Sequence, residues 1–378
     1  MCDCLHIRTL PFILRNRSTM RNYSIAILII LTLISCKSKT NKNMNSDYTI
    51  STASESDERA KKALPVEGSE DKSDILKLNI NIPEILKEPD SIRFFGNAKY
   101  DWILTIEANS SEMFHRDSVE KYISNDWRKK VMYPTVYCLP EKSNNWTYLF
   151  AGDNEANTFK KFALAWKLYD PIDEPPTVYN EKSLSKFDKL VKKRMKKLKA
   201  SKLDYNFPIQ EASAISNGLS SFVTQNNQWA IIVLKADKEF EGKEIWDVMM
   251  SVGLRWGDMD LFHWNNDNRE VGDDQLLSVW TSTQPGYFFP EEIAEGNVQT
   301  EDLIFGFSIP RSVAPKEVFN VMCEVTDYAQ KRLGGQILDG NGNKLDKSAE
   351  LERIDLILKN LNKESIKSGI GDALYLFQ

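Results

Sequence analysis

Three histidines, His6, His115 and His263, and five cysteines are the side chains from which this 378-residue chain would have to build a metal centre or a nucleophilic site. They are too few and too scattered for zinc, whose ligands come in short paired spacings. His263 has no nucleophile or paired carboxylate near it in sequence, and His115 is equally isolated. General acid–base work needs convergent groups with shifted pKa values. Asp267, Glu270, Asp273 and Asp274 surround Gly272 in an acidic turn. The stretch Asn265-Asn266-Asp267-Asn268 lacks the alternating oxygens and closing glutamate of a calcium loop, so it reads as a polar hairpin loop. There is no glycine-rich phosphate loop and no Ser-His-Asp order worth naming. The sequence reads as no enzyme, with no catalytic residue, metal or cofactor.

The one modification the residues point to lies at the N-terminus. Residues 25–34 read IAILIILTLI after Arg15, Arg17 and Arg21, with Met20 as a second candidate start. The run is short of the roughly 20 residues that span a bilayer. A basic region, an apolar run and a small residue before a cut make a signal peptide. Leu33-Ile34-Ser35-Cys36 resembles the lipobox of bacterial lipoproteins, which implies lipidation of Cys36. The competing reading is an uncut anchor over residues 25–34. Lipidation would place the rest of the chain in the periplasm or outside the cell. An uncut anchor would leave it facing the cytoplasm from the inner membrane. Cys138 and Cys323 sit in apolar patterns and read as buried small hydrophobes.

Hydrophobic residues make up 42% of the chain, enough for a sizeable core. A formal net charge of −5 provides no basic field for nucleic acid. Residues 37–92 read as a flexible tether, polar at first and with a stretch at 75–92 that is an edge strand or more linker.

Two folded segments follow, 93–205 and 227–378, joined by a polar linker at 206–226. They read as divergent copies. Each opens on a tryptophan-led apolar run, Trp102–Ala108 and Trp229–Ala236. Each continues with a helical stripe: Val119, Tyr122, Ile123 and Trp127 in one, Ile245, Val248, Met249 and Val252 in the other. Short strands come next, 134–138, 146–150 and 162–169 against 259–263, 276–281 and 303–309. A second helix closes each copy, over 183–199 and 315–333. A further helix is expected at 348–361. The fold class is α+β: two tandem split β-α-β modules, each an antiparallel sheet with helices on one face. Lysines crowd the helix at 186–202, which reads as a solvated face rather than a membrane-binding one.

The second copy resembles the ZipA C-terminal FtsZ-binding domain family. The residues that carry this are Gly257-Asp258-Met259-Asp260-Leu261-Phe262-His263, Leu277-Ser278-Val279, Pro285-Gly286-Tyr287-Phe288 and Gly334-Gly335-Gln336-Ile337-Leu338-Asp339, with Gly242 before the first helix. The resemblance implies an open sheet face that holds the C-terminal peptide of FtsZ and ties the division ring to the inner membrane. Carried over, the partner-binding positions are Ala230, Met259, Leu261, Trp280, Ser282 and Gly306, and Ile232 is expected beside Ala230 by alternation. The chain departs from the family pattern, which has a small residue at Trp280, a Met at Ser282 and a Phe at Gly306. The expected function is a membrane-anchored, non-enzymatic protein-binding module of septum assembly. The alternative is an exported envelope lipoprotein that uses the fold as a scaffold for another envelope protein.

Overall fold

A computed structural model of the chain describes residues 53–78, 95–109, 112–151, 156–170, 176–268 and 271–377. Residues 1–36, with Cys36 and the expected signal or anchor, lie outside the described residues, as does 79–92. Among the described residues no helix is long and apolar enough to cross a membrane.

The expected tether is partly a docked strap. Helix α1 (Ala53–Ala63) and the stretch to residue 78 lie along the second half of the chain. The Ser69 amide and hydroxyl donate to Asp247 at 2.6 and 2.7 Å, and the Lys72 amide donates to the Ser251 carbonyl at 2.8 Å. Gly68 passes so close that a Cβ there would lie 2.3 Å from the Ser251 amide nitrogen. The stretch also packs on the core through Ala60, Leu64, Ile75, Leu76 and Leu78, apolar residues too sparse among charged ones to read as a stripe.

The first sheet is built from β1 (Asp101–Glu107), β2 (Phe114–His115), β3 (Thr135–Pro140), β4 (Thr147–Tyr148) and β5 (Thr158–Lys167). Helices α2 (Arg116–Tyr122) and α3 (Asn125–Lys129) lie between β2 and β3, where one continuous helix was expected; Ser124 takes extended backbone between them. A two-stranded hairpin follows, β6 (Tyr169–Asp170) with β7 (Thr177–Val178), then α4 (Glu181–Met195) and β8 (Lys202–Tyr205). The Asn180 side chain caps α4 by accepting from the Ser183 amide at 2.9 Å. The antiparallel order is β4-β3-β5-β1-β8, with β2 beside β5.

The expected linker is a helix, α5 (Ile209–Asn226). Ala212, Ser216, Leu219 and Val223 repeat at helical spacing and are buried. Ser216 takes part through its hydroxyl, which donates to the Leu168 carbonyl and accepts from the Tyr179 amide. The small polar residues that suggested a linker instead let α5 pack closely.

The second sheet uses β9 (Trp229–Glu241), then α6 (Gly242–Ser251), β10 (Arg255–Trp256), β11 (Phe262–Asn265) and β12 (Gln275–Trp280). It continues through α7 (Pro290–Glu295), β13 (Gln299–Ser308), α8 (Pro315–Leu333) and β14 (Gln336–Asp339). Helices α9 (Lys347–Lys363) and α10 (Asp372–Leu376) end the chain. The order is β10-β11-β12-β13-β9-β14. Gly335, at φ +87°, turns α8 into β14, and a Cβ there would meet the Lys235 carbonyl oxygen at 2.4 Å.

The copies share their centres. β1 lies between β5 and β8 as β9 lies between β13 and β14. They differ outside. β4 lies beyond β3, whereas β12, its expected counterpart, lies between β11 and β13, so β3 takes the place of β12. Element order along a chain does not state which side of its neighbour a strand pairs on.

One continuous core runs from the first sheet to the last helix. Five tryptophans are buried in it, and four of them donate the indole N–H to a carbonyl, which keeps the buried donor paired. Trp102 donates to Phe207 at 3.0 Å, Trp166 to Val131 at 2.6 Å, Trp246 to Pro65 at 2.7 Å and Trp256 to Phe288 at 2.6 Å. At the C-terminus, α10 returns to the first sheet: the Tyr375 hydroxyl donates to Asp101, and Lys99 pairs with Asp372 at 2.8 Å.

Candidate functional site

Side chains on a strand alternate between faces, so register decides which residues a partner could touch. In the β9–β13 pair, Ala230 faces Phe307, Ile232 faces Phe305 and Leu234 faces Leu303. All six are in the main core with the inward residues of α8, Val318, Met322 and Val325. The residues between them, Ile231, Val233, Gly306 and Ile304, therefore form the outer face. Trp280 pairs with Ile304 and Leu338 with Val233, which extends that face across four strands.

The expected site residues divide accordingly. Trp280 and Gly306 lie on the outer face. Leu261 is half-buried and turns outward, because Phe262 after it faces the core. Met259 is 45% exposed in the turn before β11, with φ +55°. Ser282 lies at the end of the face. Ala230 and Ile232 do not belong to it: both are fully buried under the helices. A slip of one residue along β9 exchanges the faces, and the outward pair is Ile231 and Val233.

Trp280 does not stand up from the sheet. Its ring lies over Gly306, where a Cβ would come 2.7 Å from ring carbon Cη2. It meets Trp229 edge to face, with ring centroids 6.1 Å apart, and is only 8% exposed. The indole thus fills the space that a side chain at position 306 would take. At the end of the face, Asp302 is buried and accepts from the Thr281 hydroxyl at 3.1 Å and the Ser282 amide at 2.8 Å. The Ser282 hydroxyl also donates to it, and Lys235 stands 3.8 Å away. A methionine in place of Ser282 would leave this carboxylate short of a donor. The result is a shallow apolar strip of Ile231, Val233, Ile304 and Leu338, bounded by an indole and a polar knot. Residues 230–233 are all apolar, so nothing along β9 alone marks Ile231 and Val233 as the outward pair.

The other candidates are structurally committed. His263 is buried between the Ser278 hydroxyl at 2.9 Å and the Asp258 carbonyl at 2.7 Å, and burial lowers its pKa. The carbonyl requires an N–H at Nε2, so Nδ1 accepts from Ser278. In the acidic turn, Asp273 pairs with Arg311, and Glu270 is outside the described residues. Among the described residues no three His, Cys, Asp or Glu side chains gather as a metal site would require. Cys138 and Cys323 are both buried, and burial pushes the Cys323 thiol up to about 11.

The strap closes one edge of the sheet. Arg59 makes a two-pronged pair with Glu291 at 2.7 and 2.8 Å and a third bond to Asp260 at 3.0 Å. Its guanidinium lies 5.0 Å from the Trp256 ring and 5.2 Å from Phe289. Pairing with Arg59 lowers the Glu291 pKa, while burial raises that of Asp260.

Residues 229–354 match the family model of ZipA, C-terminal FtsZ-binding domain. That region starts at β9, holds the outer face just described and ends within α9. Proteins named cell division protein ZipA are similar to it. The one from Shewanella loihica is 28% identical over 109 residues, 29% of this chain and 32% of that protein. The one from Ectopseudomonas mendocina is 31% identical over 108 residues, 29% of this chain and 38% of that protein. The one from Vibrio cholerae is 26% identical over 148 residues, 38% of this chain and 48% of that protein. The chain thus spans less than half the length of these ZipA relatives. The first module lies outside the ZipA match.

Proposed function

We propose that this chain is a membrane-anchored, non-enzymatic protein of bacterial cell division that holds the C-terminal peptide of FtsZ on the outer face of its second sheet. The observation that carries the reading is the family match over 229–354, in a region whose helices all pack on the opposite face from Ile231, Val233, Ile304 and Leu338. A few apolar anchors in a preformed groove suffice to hold a short peptide. The test is fluorescence polarisation of a labelled peptide matching the FtsZ tail of the same bacterium. Val233→Asp and Leu261→Asp should each abolish binding while the far-UV spectrum and melting profile stay native. Binding that survives both changes would remove the outer face from the proposal.

A second reading is favoured by Leu33-Ile34-Ser35-Cys36 and by the altered anchors Ser282 and Gly306. In it, Cys36 is lipidated, the folded part lies outside the cytoplasm and the face takes an envelope protein. Reporters of sidedness fused after Gln378, with fatty-acid labelling of the wild type and of Cys36→Ala, separate the two. An outside signal with Cys36-dependent label removes FtsZ as the partner.

A further inference from the structure

The first sheet has an outer face as well, and something already lies on it. Ile103, Tyr137, Ala163 and Ala165 form an apolar island separate from the main core. Ile103 pairs with Ala165 and Tyr137 with Ala163, so the four make a square patch on β1, β5 and β3. The two alanines leave its floor low between the larger side chains. Phe95 fills that hollow, its ring centroid 5.4 Å from Tyr137 and 4.5 Å from Trp146. Gly96 follows with its backbone pressed to the sheet. A Cβ there would lie 3.0 Å from the Ala165 Cβ and 3.1 Å from the Ile103 side chain. The Asn97 amide then donates to the Asp101 carboxylate at 2.9 Å. Beyond Asn97 the chain turns into β1, with the Asp101 amide donating to the Asn97 carbonyl at 2.8 Å, so Phe95 and Gly96 are what the face itself holds.

We infer that the outer face of the first sheet is a second peptide groove, selective for a segment in which an aromatic residue precedes glycine, and that Phe95-Gly96 occupies it in cis. Phe95 is half-buried and lies outside the main core, so its departure leaves that core intact. A tethered occupant acts at millimolar effective concentration, so the groove is closed to weak peptides until the tethered one is displaced.

The test uses the full-length chain in lipid nanodiscs and a fluorescein-labelled peptide of residues 92–99. Polarisation should show no uptake by the wild type and saturable binding to Phe95→Ala. Binding to Phe95→Ala should weaken at least tenfold when Trp146→Ala is added, or when the peptide carries alanine at position 95. The inference is overturned if Phe95→Ala binds no better than wild type, or if its binding ignores both of those changes. It is equally overturned if Phe95→Ala loses its near-UV spectrum, since Phe95 would then be a core residue and not a displaceable ligand.

Discussion

The indole of Trp280 rests on the Cα of Gly306, with 2.7 Å left between Cη2 and any Cβ added there. The two positions are complementary: a large ring on one strand requires no side chain on the next. Gly306→Ala should force the ring off the sheet at a cost of about 1–3 kcal/mol, the usual range for an overpacked site. Urea denaturation should show the loss, and tryptophan emission should shift to the red as the indole enters water.

Trp280→Ala tests the same pair from the other side. It should cost about 3 kcal/mol of stability, as large truncations of buried aromatics do. It should also deepen the strip over Gly306 and strengthen binding of a peptide with a bulky apolar anchor. Weaker peptide binding, measured by polarisation, would mean that the indole itself is a contact.

Arg59 is the most connected residue of the strap. Its side chain is 40% exposed, so the ion pairs are partly screened and Arg59→Ala should cost only about 1 kcal/mol. The local effect should be larger. Trypsin should cut at the exposed Lys61 and Lys62 much faster in the variant, and in the wild type at high salt.

Asp101 makes stability depend on pH. Burial lifts its pKa to about 6, against the opposing pull of the Tyr375 hydroxyl and the Asn97 amide. The unfolded carboxyl titrates near 4. The folded state therefore binds the proton more tightly, and its advantage is complete below about pH 4. Stability should fall as pH rises from about 4 to 6, by on the order of 2–3 kcal/mol. Asp101→Asn should flatten that slope in a series of urea melts.

Much of the fold was legible because its apolar patterns are local. Helix α8 begins at Pro315 and ends before Gly334, as its stripe and stop signal indicated. The strap and α5 were not read from the sequence: hydrogen bonds to Asp247 and Ser251 leave no pattern in the strap, and the stripe of Ala212, Leu219 and Val223 in α5 is interleaved with serine, asparagine and glycine. The site was half legible. Trp280 and Gly306 were expected on the open face and lie on the outer face of the sheet, yet their mutual dependence is a matter of distance, not of pattern. Ala230 was carried over from the family resemblance and Ile232 followed from it by alternation, and the equally apolar neighbours Ile231 and Val233 offered nothing to correct that placement. In such a run only the register with β13 distinguishes inside from outside.

The strap also fixes how the molecule bears load. A pull on the chain at residue 53 is taken first by Arg59 on Glu291, by the Pro65 carbonyl on Trp246 and by Ser69 on Asp247. All three acceptors or donors belong to the second half. Tension between that end and anything seated on the second sheet therefore bypasses the first sheet, which is free to exchange its own occupant while the line is taut.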